Sequence, residues 1–246
     1  CTSVDSNLGN ISKEFGNCSV TRITQRDDFS KRSTVEAIKS QIQNRPGTSV
    51  HGSLPCTAWS SWQEVDARKG NPRQMNLLAK KRTESIRLLE HFAEIAELTV
   101  KLGGEVSFEW PTYCSGWIQK PLTDLIQKLG LFTALVDGCA CGVVNSKGIP
   151  IRKPWRFVTS SERLAVSLDA FKCPHPNGFE HAICAGKETK PTERYPAPLC
   201  RTILASLFGF HLHCPAMACI QPTSDTKHRE KDIIYRDHHI SPFWSR

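Results

Sequence analysis

The chain has 246 residues, of which 39% are hydrophobic and 23% charged, with a formal net charge of +8. Those proportions exclude a disordered tail or a low-complexity repeat, and the longest apolar runs, such as Leu131–Val136, are far too short to span a membrane. The positive balance favours a polyanionic partner.

The predicted elements follow in chain order. Val20–Thr24 is a β-branched run that reads as a strand. Ser33–Ile42 reads as a helix, because Ser33 or Thr34 with Glu36 offers a capping start and Val35, Ile38 and Ile42 recur at helical spacing. Thr48–Leu54 reads as a strand ending in Pro55-Cys56. Asn71–Leu102 is the longest helical signal: Leu78, Ile86, Leu89, Ala93, Ala96 and Val100 are multiples of three and four apart, and Gly103-Gly104 closes it. Glu105–Phe108 reads as a strand that delivers Glu109-Trp110-Pro111. Then come a helix over Pro121–Leu129, a buried strand over Leu131–Val136, a strand over Trp155–Thr159, and helices over Ser160–Ala170 and Pro198–Phe208. Strands alternating with helices predict an α/β domain over 1–210 with a mainly parallel sheet. Residues 211–246 hold His211, His213, His228, His238 and His239 among mixed charges and read as a loosely ordered tail.

In an open α/β sheet, chemistry gathers at the carboxyl ends of strands. Two such ends carry reactive groups. Pro55-Cys56-Thr57 offers a thiol whose thiolate would be a strong nucleophile. Glu109, between Phe108 and Trp110, would be desolvated, which raises a carboxyl pKa and keeps its proton available. The plain alternative is a buried small hydrophobe and a surface acid.

These residues resemble the cytosine-C5 methyltransferases. Leu54-Pro55-Cys56-Thr57-Ala58-Trp59-Ser60 is similar to the Pro-Cys loop of that family, and Phe108-Glu109-Trp110-Pro111 to its glutamate motif, with one long helix between them. Cys141-Gly142-Val143 and Ile151-Arg152-Lys153-Pro154-Trp155-Arg156-Phe157 follow in the family's order. Gly103–Pro111 is also similar to diverged segments associated with eukaryotic, especially protist, retroelements. The resemblance implies a Rossmann-like fold of the S-adenosylmethionine-dependent type, with helices on both faces and a first strand that would lie before Cys1. It implies methyl transfer to C5 of cytosine in DNA through a Cys56 adduct at C6, with Glu109 on N3 and Arg152 or Arg156 on the base O2 or phosphate. The base would be flipped out of the stack, and Trp59 or Trp110 would line its pocket. Cofactor contacts fall to Asp5, Ser6, Asp27, Asp28 and Pro55.

Eleven cysteines without a signal-peptide pattern predict reduced thiols in an intracellular, nuclear protein, some of them metal ligands. Cys173, His175, His181 and Cys184 offer four soft donors that suit zinc, although side chains lining an ordinary loop would give the same spacing. Cys139-x-Cys141 and His211-x-His213-Cys214 with Cys219 are weaker patterns that capping or packing explains as well.

Two basic stretches follow the reactive loops. Arg68, Lys69, Arg73, Lys80, Lys81, Arg82 and Arg87 face Glu84 alone over 68–87, and Lys120, Lys128, Lys147, Arg152, Lys153 and Arg156 face Asp124 and Asp137 over 119–156. A basic rim pairs with phosphates, which points to DNA, with RNA also open. Two further readings compete with methyl transfer. One is a catalytically inactive nucleic-acid-binding module of a mobile element. The other is a thiol hydrolase with Cys56 as nucleophile and His51 as base.

Overall fold

The computed structural model describes residues 6–16, 18–60, 63 and 70–208. These lie in one unit, Cys1–Leu212, and the predicted tail lies outside the described residues. Four strands form one sheet: β1 (Val50–Gly52), β2 (Val106–Pro111), β3 (Phe132–Asp137) and β4 (Pro154–Thr159), in the order β1-β2-β4-β3. Six helices of α type accompany them among the described residues: α1 (Asn7–Ile11), α2 (Arg32–Asn44), α3 (Pro72–Lys101), α4 (Lys120–Leu129), α5 (Glu162–Asp169) and α6 (Ala197–Phe208).

The α/β character is as the sequence predicts, but the pairing is not mainly parallel. β1 pairs with β2 in parallel, while β4 is antiparallel to both β2 and β3. Strands β1, β2 and β3 therefore point the same way, and β4 is inserted between β2 and β3 in reverse. The connections explain this. α4 provides the crossover that a parallel return needs, whereas no α-helix lies between β3 and β4. That segment instead folds into a short 3-10 turn, Gly138–Cys141, and a bridge between Val144 and Pro150, so the chain comes straight back.

Two corrections concern single strands. Val20–Thr24 is not part of the sheet: Val20 is exposed, and Asp27 Oδ2 instead accepts hydrogen bonds from the Thr24 amide (2.6 Å) and hydroxyl (2.9 Å), closing a local turn. β3 is an edge strand with Phe132 and Leu135 exposed, rather than fully buried. Its outer backbone is covered by the helix beside it, since the Leu135 amide donates to Asp169 and Lys172 Nζ donates to the Leu135 carbonyl, a common protection of an edge.

Side-chain alternation divides the core. Val106, Phe108, Trp110 and Val158 face α2, α3 and α4, where Ile42, Leu89, Phe92, Ile95 and Leu122 pack. Ala134, Val136, Trp155 and Phe157 face α1, α5 and α6, with Leu164, Leu168, Leu199 and Ile203. Helices thus cover both faces. Pro72 at the first turn and Asn71, whose Oδ1 accepts from the Arg73 and Gln74 amides, start α3. Gly52 is required in β1: a Cβ there would sit 2.5 Å from Phe92 Cε2.

The consequence for function is the rim of the sheet. The exits of β1, β2 and β3 and the entry of β4 all lie on one edge. Residues 53–56, 111–113, 137–139 and 152–154 are gathered there from four distant parts of the chain.

Candidate functional site

Glu109 is the buried acid of the rim, with 4% of its surface exposed. Its register opposite Phe157 points it to the α5–α6 side, away from Trp110. Ser53 Oγ (3.0 Å) and the Tyr195 hydroxyl (2.6 Å) both donate to Glu109 Oε2. Tyr195 in turn lies 3.2 Å from His51 Nε2, and His51 Nδ1 lies 2.7 Å from Ser107 Oγ. With the Tyr195 proton directed at Glu109, His51 Nε2 is the donor to Tyr195 and Nδ1 accepts from Ser107. Burial raises the Glu109 pKa, in the direction expected from sequence, and the two hydroxyl donors oppose it in part. Burial also lowers His51 to about 4, so its ring is neutral.

Cys56 stands at the start of the 3-10 turn Thr57–Trp59, half-buried beside the α3 side of the core. Burial, and then the negative charge of Glu109, push its thiol up to about 11, while Lys153 pulls the other way. The thiol and the acid of adjacent parallel strands therefore share one electrostatic neighbourhood, and Lys153 is the cation that acts on both. The thiol is therefore harder to ionise than an ordinary cysteine. His51 cannot remove its proton, because both ring nitrogens are engaged by Ser107 and Tyr195, which argues against the thiol-hydrolase reading.

The other expected site residues are placed as follows. Arg156 pairs in register with Trp110, on the face opposite Glu109, and its guanidinium lies over the Trp117 ring at 5.1 Å. Arg152 is bound to Asp137, with Nε 3.0 Å from Oδ1. Neither arginine is directed at Glu109. Trp59 and Trp110 are core residues, their indole N–H groups donating to Ser85 Oγ and the Leu54 carbonyl. Asp5 lies outside the described residues. Ser6 starts α1 without a side-chain cap bond, and Pro55 is exposed. Asp27 closes the turn on Thr24, and Asp28 accepts from Ser30 and pairs with Lys31. No strand precedes β1 among the described residues, so these carboxylates do not stand at a strand's carboxyl end.

A second constellation flanks the rim at β3. One donor atom each from Cys139, Cys173, His175 and His181 lies within 4.8 Å of all the others. Cys173 Sγ is 3.4 Å from His175 Nδ1 and 3.3 Å from His181 Nε2, and those two nitrogens are 3.3 Å apart. Three hydrogen bonds cannot fill such a triangle, since each ring nitrogen has a single proton or lone pair along one direction. Three donors converging on one point suit an ion at the centre. Cys184 is not among them: its thiol lies 3.3 Å from Thr192 Oγ1, and Cys139, from the turn after β3, takes the fourth position. Phe179 stacks on His175 with centroids 4.2 Å apart. Asp137 accepts from the Cys173 amide at 3.0 Å and holds Arg152 with its other oxygen. The Cys/His cluster can hold a metal ion.

Several of these residues had weak signals in sequence. Tyr195 precedes Pro196 at the start of α6, and Ser53, His51 and Lys153 sit beside motif residues, but their meeting depends on strand register. Cys139 was visible only in Cys139-x-Cys141, of which Cys141 is core. No family model, curated protein or solved structure matches the chain.

Proposed function

We propose that this chain is a methyltransferase-like domain of Rossmann type that binds DNA through a basic rim and does not transfer methyl groups, as in the mobile-element module that its sequence resembles. The observation that carries this reading is the stretch 73–87 of α3. Arg73, Lys80, Lys81 and Arg87 are exposed there and make no ion pair among the described residues. Arg82 fixes that stretch against the Cys56 turn, donating to the Ala58 carbonyl at 3.2 Å with its guanidinium over Trp59. Unneutralised cations thus stand beside the loop that carries the thiol. Tyr113, 82% exposed at the exit of β2, adds a flat aromatic face on which a base can stack. Against methyl transfer stand the two arginines, Arg156 on the face opposite Glu109 and Arg152 held by Asp137.

The ion suited to the Cys/His cluster is zinc. Tetrahedral zinc with two sulfur and two imidazole ligands has edges of about 3.6 Å between S and N and about 3.3 Å between nitrogens. The observed N–N edge of 3.3 Å equals the second, and the S–N edges of 3.4 and 3.3 Å fall slightly short of the first.

The test is binding of a labelled duplex at several salt concentrations. Wild type should bind with log K falling linearly in log salt, and the triple variant K80A/K81A/R87A should bind more weakly, with a slope smaller by about 3. Absent or salt-independent binding would overturn the reading, and tighter binding of single-stranded RNA would change the partner. One observation favours the second reading, methyl transfer: the thiol and the acid leave adjacent parallel strands. Tritiated-methyl transfer to DNA that disappears in Cys56→Ala would establish it in place of the first.

A further inference from the structure

Residues 170–196, between α5 and α6, contain no α-helix or strand, only two single-turn 3-10 segments, Gly186–Glu188 and Pro191–Glu193. A connection of that length without regular structure is uncommon in a compact domain and carries a large ordering entropy. Its own packing supplies little against this. From Lys172 to Tyr195, only Thr192 and Tyr195 are buried, while Ile183 is 79% exposed. Yet the loop ends by laying the Tyr195 hydroxyl on Glu109.

The contacts that hold it run in sequence from the Cys/His cluster. Cys173, His175 and His181 belong to the loop, and Cys139 belongs to the turn that follows β3. That turn is itself tied to β4, for the Gly138 amide donates to the Arg152 carbonyl at 2.5 Å, and a Cβ on Gly138 would come within 3.0 Å of the same oxygen. Directly after His181, the Ala182 amide donates to the Pro150 carbonyl at 2.8 Å. Cys184 then meets Thr192, whose carbonyl and hydroxyl accept from Lys153 Nζ at 2.5 and 2.9 Å. Three residues later comes Tyr195.

We propose that the metal joining Cys139 to Cys173, His175 and His181 is a folding staple: it orders the 172–195 loop and thereby sets Tyr195 and Lys153 against the rim acid and thiol. The inference rests on the zinc reading above. Four protein donors leave no open coordination position, which is the pattern of a structural rather than a catalytic site. Binding free energy at such a site becomes folding free energy of the segment it closes.

The test is hydrogen exchange by mass spectrometry on the full chain, as purified, after chelation and after zinc is returned, with metal content measured in each sample. The expected result is one bound zinc, exchange in 172–195 faster by at least about tenfold on chelation, and recovery with zinc, while peptides from β2 and β4 keep their protection. Cys139→Ser should imitate chelation and Cys184→Ser should not. A chain that neither carries nor takes up zinc overturns the zinc reading itself. A chain that binds one zinc, but whose 172–195 exchange is the same without it, leaves that reading standing and overturns the staple. If Cys139→Ser fails to fold, the chelation arm on wild type decides.

Discussion

The Tyr195 hydroxyl donates to Glu109 Oε2 at 2.6 Å, joining residues 86 positions apart. It is one of two donors to a carboxyl that has almost no contact with water. Tyr195→Phe removes that donor and leaves an under-bonded acid in the core, so it should lower stability by about 1–3 kcal/mol, read from the denaturation midpoint. A variant as stable as wild type would show that the bond contributes nothing.

The pH dependence follows from the same carboxyl. Its folded pKa is raised above the ordinary 4.5, so the unfolded chain releases the proton first as pH rises. The stabilisation is therefore complete below about 4.5 and is lost as pH climbs toward the folded value. Glu109→Gln keeps the shape and cannot ionise. Its stability relative to wild type should increase with pH across that window, measured by urea unfolding at several pH values. A constant difference would refute the assignment.

For Cys56, a thiol pushed up to about 11 from 9.0 predicts sluggish chemistry. At pH 8 the fraction present as thiolate is about 100-fold below that of an ordinary thiol. Alkylation of native Cys56, followed by peptide mass spectrometry, should be slower than that of free cysteine by a factor of that order, and should accelerate with each pH unit up to about 11. Fast labelling at pH 7 would instead indicate an activated nucleophile and reopen the covalent mechanism.

Gly52 tests how the rim is positioned. Gly52→Ala places a methyl 2.5 Å from Phe92 Cε2 and 3.0 Å from Phe108 Cδ2, inside a packed core. The expected loss is about 1–3 kcal/mol, visible as a lower melting temperature. Adding Phe92→Leu should recover part of it, since the clash is with a side chain rather than with backbone.

Much of the fold was legible in sequence because it is local. The Asn71-Pro72 start and the three-and-four spacing of α3 need no partner to be read, and Gly103 ends the helix at φ 79°. Strand order was not legible, because β4 lies between β2 and β3 through a return that carries no helical period. The same limit applies to the site. Cys56 and Glu109 announce themselves by the prolines beside them, but which side of β2 the acid faces is a matter of register. Arg156, in register with Trp110, was separated from the acid by strand alternation alone. Cys184 and Cys139 exchanged places for a related reason: spacing suggests ligands within one loop, whereas the fourth donor comes from across the sheet edge.

The reversed strand has one more implication. β4 is the hydrogen-bonded link between the β1–β2 pair and β3, and its own side chains enter both helical layers, Val158 one and Trp155 and Phe157 the other. Removing it would leave two fragments with exposed ladders and half a hydrophobic interior each. The two layers therefore have no route to melt one after the other, and denaturation of the sheet should proceed as a single all-or-none event.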